Sequence, residues 1–179
     1  MPTTADTLTG GDAPPYDAVM HPEPQDDVRV AAFSDLDTTT LYAILKLRSD
    51  VFVAEQKCAY ADVDGRDAEP GTRHVWLSRS GEILAYLRIL DDGDVQRIGR
   101  VVVAPAARGE GLASRLMDRA LAIIGSRTSV LEAQAYLVRF YGKYGYQQTG
   151  PEYLDDGIPH VPMLRAGMPP VPPPTAVAR

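Results

Sequence analysis

Apolar side chains recur along the middle of this chain with two different spacings, and the switches between them mark out its elements. Alternation over residues 28 to 33, with Val28 and Val30 between polar positions, predicts a strand. From about 38 to 54 the spacing becomes helical, with Leu41, Ile44, Leu45, Val51 and Phe52 on one face. Residues 56 to 72 carry no apolar period and read as a polar loop. Alternation resumes over 74 to 79 and 82 to 90, with Ser80-Gly81 between them as a hairpin turn, and a further strand spans 95 to 103. A helix follows, whose Leu112, Leu116, Met117, Ala120, Leu121 and Ile124 form one stripe. Residues 129 to 133 return as a strand and 137 to 144 as a short helix ended by Gly145. Two strands, at 146 to 149 and 158 to 165, close the pattern.

The order is β-α-β-β-β-α-β-α-β-β. Consecutive hairpins require antiparallel pairing, and the later β-α-β unit requires one parallel step. The expected class is α/β in the α+β sense: a mixed, mostly antiparallel sheet of about six to seven strands with helices on both faces. At 179 residues the chain holds one well-cored domain, placed at 28–165. Residues 1–27 lack the apolar surface to offset ordering entropy and read as a disordered tail. From 166 to 179 the chain carries Pro169, Pro170, Pro172, Pro173 and Pro174, a polyproline II tail outside the core. Such a tail is either unstructured or a docking peptide for an aromatic-lined groove.

Charge and cysteine content narrow the class. Acidic residues outnumber basic ones by 24 to 18, giving a formal net charge of −6. Nothing electrostatic therefore points to nucleic acid, and the balance mildly favours a cationic acceptor such as an amine. The single cysteine, Cys58, has no intrachain disulfide partner and reads as a structural thiol. No basic start with an apolar stretch and no apolar run of about 18–20 residues is visible, so the expectation is a cytoplasmic protein without a membrane.

The chemistry concentrates between Val101 and Leu116, which reads Val-Val-Val-Ala-Pro-Ala-Ala-Arg-Gly-Glu-Gly-Leu-Ala-Ser-Arg-Leu. A strand meets a Pro, then an Arg-Gly-x-Gly turn, then the start of a helix. Gly109 and Gly111 lack Cβ, so the backbone there turns sharply and lies close to a ligand. The unpaired N–H groups of a first helical turn favour an anion, and a pyrophosphate cradle is expected. A triphosphate-binding loop needs Gly-x-x-x-x-Gly-Lys-Ser/Thr, and no Lys follows either glycine. A dinucleotide fingerprint needs a third glycine where Ser114 stands, although Glu132 lies at a suitable distance for its acidic partner.

Coenzyme A binding is the third use of such a turn, and here the chain resembles the GNAT N-acetyltransferase family. That family's signature is Arg/Gln-x-x-Gly-x-Gly/Ala, and Arg108-Gly109-Glu110-Gly111-Leu112-Ala113 fits each specified position. A second family segment, Asn-x-x-Ala-x-x-x-Tyr-x-x-x-Gly-Phe or close to it, is matched by the run from Gln134 to Tyr146, with Gln134 in place of Asn. Over about residues 28 to 165 the chain is similar to the ElaA-like branch. The likeness lies in Val51-Phe52-Val53-Ala54-Glu55-Gln56, Asp62-Val63-Asp64-Gly65-Arg66-Asp67, Arg73-His74, Ile98-Gly99-Arg100-Val101, Ala133-Gln134-Ala135 and Asp156-Gly157-Ile158-Pro159-His160.

The resemblance implies an acyl-CoA N-acyltransferase fold and transfer of an acetyl group from acetyl-CoA to a primary amine, by direct attack in a ternary complex. The acceptor is a small molecule or a peptide, no metal is involved, and the chain is a monomer or homodimer. A non-catalytic coenzyme A binder of the same fold is the alternative. The resemblance lays pantetheine along the backbone of Val101, Val102 and Val103, with Gly99 marking a bulge that splays this strand. Amides of Gly109, Glu110, Gly111, Leu112, Ala113 and Ser114, with Arg108, hold the pyrophosphate, and Gln134 belongs to the same cofactor site. Tyr141 contacts the coenzyme and is the general acid for the departing thiolate, whereas Phe140 and Tyr146 read as core. Glu55 is the first candidate for the base, with His74, His160, Glu132 and a water relay left open. Asp62, Asp64 and Asp67 invite comparison with a calcium loop. Gly65 comes too early, however, and Arg73 replaces the bidentate Glu, so a polar acceptor-site or surface loop is expected.

Overall fold

Asp37 opens the first helix, α1 (Thr38–Arg48), because its carboxylate accepts both the Thr40 N–H (2.8 Å) and the Thr40 hydroxyl (2.6 Å). Past Arg48 the helix widens. Residues Ser49–Glu55 take π-helical geometry, with the Gln56 N–H donating to the Val51 carbonyl at 2.9 Å. The expected helix over 38–54 is therefore present in extent, in two geometries. Such widened turns recur at functional sites because they re-aim side chains.

The computed structural model describes residues 26–168. The expected tails lie outside the described residues apart from their inner ends, where Asp27 already belongs to β1 (Asp27–Ala31). Antiparallel to β1 runs β2 (Arg73–Arg79), which turns through Ser80 (φ 51°) and Gly81 (φ 86°) into β3 (Glu82–Asp91). Positive φ at both central residues matches the right-handed twist of the flanking strands. Antiparallel β4 (Gln96–Val103) follows, then α2 (Leu112–Ile124), β5 (Ser129–Gln134), α3 (Val138–Gly142), β6 (Gln147–Gln148), β7 (Tyr153–Asp155) and β8 (Ile158–Arg165). The sheet order is β1-β2-β3-β4-β5-β8-β6, with β7 on β8.

Alternation along the central strands sends side chains to two apolar layers. Val75, Leu77, Ala85, Leu87 and Ile98 pack with Leu112, Leu116, Met117, Ala120 and Ile124 of α2. Trp76, Tyr86 and Val102 point to the other face, against Ile44, Leu47, Val51 and Phe52. Helices thus cover both faces of the sheet, and each fully buried aliphatic side chain contributes about 1.5–3 kcal/mol.

Three differences from the sequence reading have local causes. Residues Phe33–Asp35 leave the strand for a single 3-10 turn, and the strand expected at 146–149 shrinks to β6. Among the described residues the sheet has eight strands rather than six or seven, because β7 turns through Asp156 (φ 47°) and Gly157 (φ 80°) into β8. Asp-Gly between short strands is a strong hairpin signal, and it was legible in the sequence.

The parallel step between β4 and β5 is brief. Only Gln96 with Ser129 and Arg97 with Val130 are in register, and from Ile98 onward the strands part. The pairing of β4 with β3 also slips by one residue, from Arg88↔Gly99 to Tyr86↔Val102. A bulge therefore lies where Gly99 suggested one, but Arg100 carries the left-handed backbone (φ 55°) and Gly99 does not.

Candidate active site

A cleft of about 610 Å³ opens where β4 and β5 separate. Ile98 to Val103 form one wall, Leu131, Glu132 and Gln134 the other, and Phe52, Glu55 and Gln56 close it from the π-helical turn. Among the described residues, the β4 edge that faces the gap has no partner strand beyond Arg97, which leaves its backbone groups open to an extended ligand. Val101, Val102, Val103, Arg108, Ala113, Gln134, Tyr141 and Glu55, all expected at the site, line this one cleft.

At one end of the cleft lies the glycine turn. Gly109 (φ 84°) and Gly111 (φ 80°) hold backbone conformations that side chains disfavour, and a Cβ at either position would project into open space within 4 Å. The first helical amides to find acceptors are Ser114 and Arg115, both onto the Gly111 carbonyl (3.0 and 3.2 Å). Among the described residues, the N–H groups of Gly109, Glu110, Gly111, Leu112 and Ala113 meet no intramolecular acceptor. Five consecutive unpaired amides at a helix start form an anion cradle. The Leu112 side chain is buried in the core and the Glu110 carboxylate pairs with Arg79 (2.8 Å), so both residues offer only backbone to a ligand. Ser114, whose carbonyl accepts from the Tyr144 hydroxyl at 3.4 Å, ties the turn to the segment after α3.

Beside the cradle, Arg108 and Glu55 form a bidentate pair, Nη1 to Oε1 and Nη2 to Oε2, each 2.8 Å. Arg108 Nε also donates to the Val103 carbonyl at 3.4 Å. The Glu55 carboxyl is held below its ordinary range by the Arg108 hydrogen bonds, which outweigh partial desolvation. A carboxylate with both oxygens engaged and a lowered pKa is a poor proton acceptor. The geometry thus makes Glu55 a partner of Arg108 rather than a free base. Across the gap, Gln134 Nε2 donates to Gln56 Oε1 (3.2 Å) and Gln134 Oε1 accepts from the Tyr136 hydroxyl (2.5 Å).

Tyr141 comes from α3 and is 5% exposed, on the cleft wall. Edge-on contacts fix its ring: Phe140 at 5.1 Å and Tyr146 at 6.2 Å between centroids. Burial raises its hydroxyl above the ordinary phenol range, and the neighbouring tyrosines Tyr136 and Tyr146 add to the shift. The result is a proton held firmly at neutral pH. Tyr146 belongs to the core, with its hydroxyl 2.7 Å from Ser129 Oγ, and Phe140 packs against that core.

The far end of the cleft rests on a buried charge network that the sequence reading missed. Arg48, 0% exposed, donates from Nε to Asp62 (3.0 Å) and from Nη1 to Asp67 (2.8 Å). Arg88 donates to Asp64 (2.8 and 2.7 Å) and to Asp67 (2.9 Å). Arg100 Nε sits 2.8 Å from Asp62 and its guanidinium lies 4.8 Å from the Tyr60 ring centre. Three guanidinium groups thus face three carboxylates, and no group of side chains suited to a metal occurs among the described residues. Asp62 and Asp67 are buried, which corrects the surface-loop half of the expectation for this stretch, while Asp64 lines the cleft. Burial raises the Asp64 and Asp67 carboxyls, but the hydrogen bonds and charges of Arg88 and Arg48 outweigh it and hold both low. The signal was present: arginines inside the apolar runs 44–52 and 82–90 must find partners when buried.

The remaining base candidates differ in exposure. His74 is 1% exposed; its Nε2–H donates to the Asp67 carbonyl (3.0 Å) and its Nδ1 accepts from Tyr86 (2.8 Å). Burial lowers its pKa and keeps it neutral, away from the cleft. Glu132 accepts from the Tyr153 hydroxyl (2.9 Å), and His160 borders the cleft. Tyr60, whose N–H donates to Asp156 at 2.9 Å, ties the acidic loop to the β7–β8 hairpin. Cys58 is buried and its thiol is pushed up by desolvation, in keeping with a structural role.

An acetyltransferase (GNAT) domain model matches residues 44–166. A UPF0039 protein of Mycobacterium tuberculosis (strain H37Rv) is 49% identical over 138 residues, which are 74% of this chain and 88% of that protein. Among solved structures, an acyl-CoA N-acyltransferase from Pseudomonas aeruginosa superposes with a TM-score of 0.76 at 44% identity, covering 79% of this chain and all of that one. ElaA of Escherichia coli superposes at 0.75 with 38% identity, covering 79% of this chain and 99% of its own.

Proposed function

The chain belongs to the GNAT acetyltransferase family, in its ElaA-like branch, and on that premise we propose that it transfers the acetyl group of acetyl-CoA to a primary amine. One observation carries the reading: the glycine turn with its five unpaired amides adjoins, through Arg108 and Ala113, the cleft that the unpartnered β4 edge and Tyr141 also line. The P. aeruginosa relative is itself an acyl-CoA N-acyltransferase.

Backbone N–H groups of residues 109 to 113 hold the pyrophosphate, the Ser114 N–H being taken by the Gly111 carbonyl, and Arg108 adds charge beside them. Pantetheine lies along Val101 to Val103 as an added strand. An N–H of that edge, aimed at the thioester oxygen, is worth about 3 kcal/mol as negative charge develops. The acceptor enters from the side of Tyr60 and the β7–β8 hairpin. Its nitrogen attacks the carbonyl carbon in a ternary complex, the carbon–sulfur bond breaks, and Tyr141 protonates the leaving sulfur. The acceptor is a small-molecule or peptide amine. A binder without turnover is the competing reading. Steady thiol release from acetyl-CoA that requires an amine supports the enzyme; tight binding of acetyl-CoA with no release on any amine supports the binder.

A further inference from the structure

Resting on the acetyl-transfer reading, we propose that His160 is the general base that deprotonates the acceptor ammonium. The task needs a side chain at the cleft with an unengaged lone pair. Glu55 is taken by Arg108 on both oxygens, and Asp64 by Arg88 and Arg100. Glu132, which accepts from Tyr153 and lies 3.8 Å from Arg97, and Asp155 of β7 are both exposed to solvent at the rim, while both nitrogens of His74 are engaged in the core.

His160 differs from all of them. It lies in β8 directly opposite Gln134 of β5, on the wall that faces the splayed strand, and it is part-buried. Its Nδ1 is 2.8 Å from the Ile158 carbonyl oxygen. A carbonyl has no proton to give, so Nδ1 carries the hydrogen and the neutral ring keeps its lone pair on Nε2. A second contact orients the ring: the Tyr153 ring lies 6.2 Å away at 33°. Glu132 of β5, Tyr153 and Asp155 of β7, Asp156 of the hairpin turn and Tyr136 after β5 are the charged and titratable groups on the elements packed around it.

The proton balance closes with the residues present. His160 Nε2 takes one proton from the ammonium, leaving a free amine and an imidazolium. The amine lone pair forms the carbon–nitrogen bond, and the carbon–sulfur electron pair leaves with sulfur. Tyr141 protonates that sulfur, the proton remaining on the new amide nitrogen returns to the Tyr141 oxygen through solvent, and the imidazolium returns its proton to water.

His160→Asn tests this, because the Asn amide keeps an N–H where Nδ1 donates to Ile158 and removes Nε2. Thiol release from acetyl-CoA by the full chain is followed across pH with spermidine, phenethylamine, glycine and a hexapeptide with a free N-terminus. The variant is expected to lose about 100-fold in kcat/KM at neutral pH. Its pH profile should also lose the acidic limb that the wild type shows at one pH for every acceptor, leaving a rise at high pH whose position shifts with the acceptor's own ammonium. Acetyl-CoA affinity, measured separately by calorimetry, should stay within about two-fold, which also reports an intact fold. Asp155→Asn should keep the acidic limb. A limb at one pH for every acceptor that persists in His160→Asn, or a loss below about three-fold, overturns the assignment of His160 alone. Wild-type chain that binds acetyl-CoA but releases no thiol with any amine overturns the acetyl-transfer reading, and the base with it.

Discussion

At the scale of single residues, Tyr141 and Glu55 carry opposite kinds of commitment. Burial raises the Tyr141 hydroxyl, so the phenol stays protonated at neutral pH, as the proposed general acid must. Tyr141→Phe preserves the ring and its edge contacts and removes only that proton. Turnover should fall about ten-fold or more while acetyl-CoA affinity stays within a few-fold; unchanged turnover would remove Tyr141 from the chemistry. Glu55 was legible as a cleft residue, but not its pairing with Arg108, because the two stand 53 positions apart. In the proposed complex an anionic pyrophosphate would compete with the Glu55 carboxylate for the Arg108 guanidinium. Glu55→Gln removes the competing charge, and coenzyme A should then bind more tightly, by up to about five-fold, with thiol release largely kept. Binding calorimetry beside a turnover assay separates this from a base role, under which turnover collapses and affinity barely moves.

At the scale of elements, helix and strand positions were readable and the joints between them less so. Apolar periodicity located α1, α2 and β2 to β5 because each buries one face or both. It missed β7, which is too short and exposed to show a period, and it placed the bulge without the residue that bears it. Arg100 accepts a left-handed backbone because the bulge turns its guanidinium onto Asp62 and the Tyr60 ring, fastening the loop to the splayed strand. No local pattern could reveal that network, whose partners lie 14 to 38 positions apart. Arg48 is its innermost member. Removing it takes from the buried Asp62 and Asp67 one of the two guanidinium partners that each has, so Arg48→Ala should lower unfolding free energy by about 3–5 kcal/mol. Urea titration followed by tryptophan fluorescence measures this, since Trp76 packs in the layer beside the network. A loss under about 1 kcal/mol would mean that the pairing behaves like an exposed one.

At the scale of the whole molecule, acid is expected to weaken the fold in two phases. His74 sits neutral inside the domain, its pKa lowered because burial penalises the imidazolium. As pH falls below about 6.5, the unfolded chain binds a proton at His74 that the folded chain does not, so stability drops. Asp64 and Asp67 act lower down. Although desolvation raises them, Arg88 and Arg48 prevail and hold both carboxyls below the ordinary range. Their contribution is complete above about pH 4, the ordinary carboxylate value, and is lost as pH falls through their depressed folded values. Unfolding midpoints in urea should therefore be level from about pH 8 to 7, decline from about 6.5, and fall more steeply below about 4. His74→Gln should remove the first decline while leaving the second, even if it lowers the whole curve. A wild-type midpoint that stays flat between about pH 7 and 5 would contradict a neutral His74 in the fold.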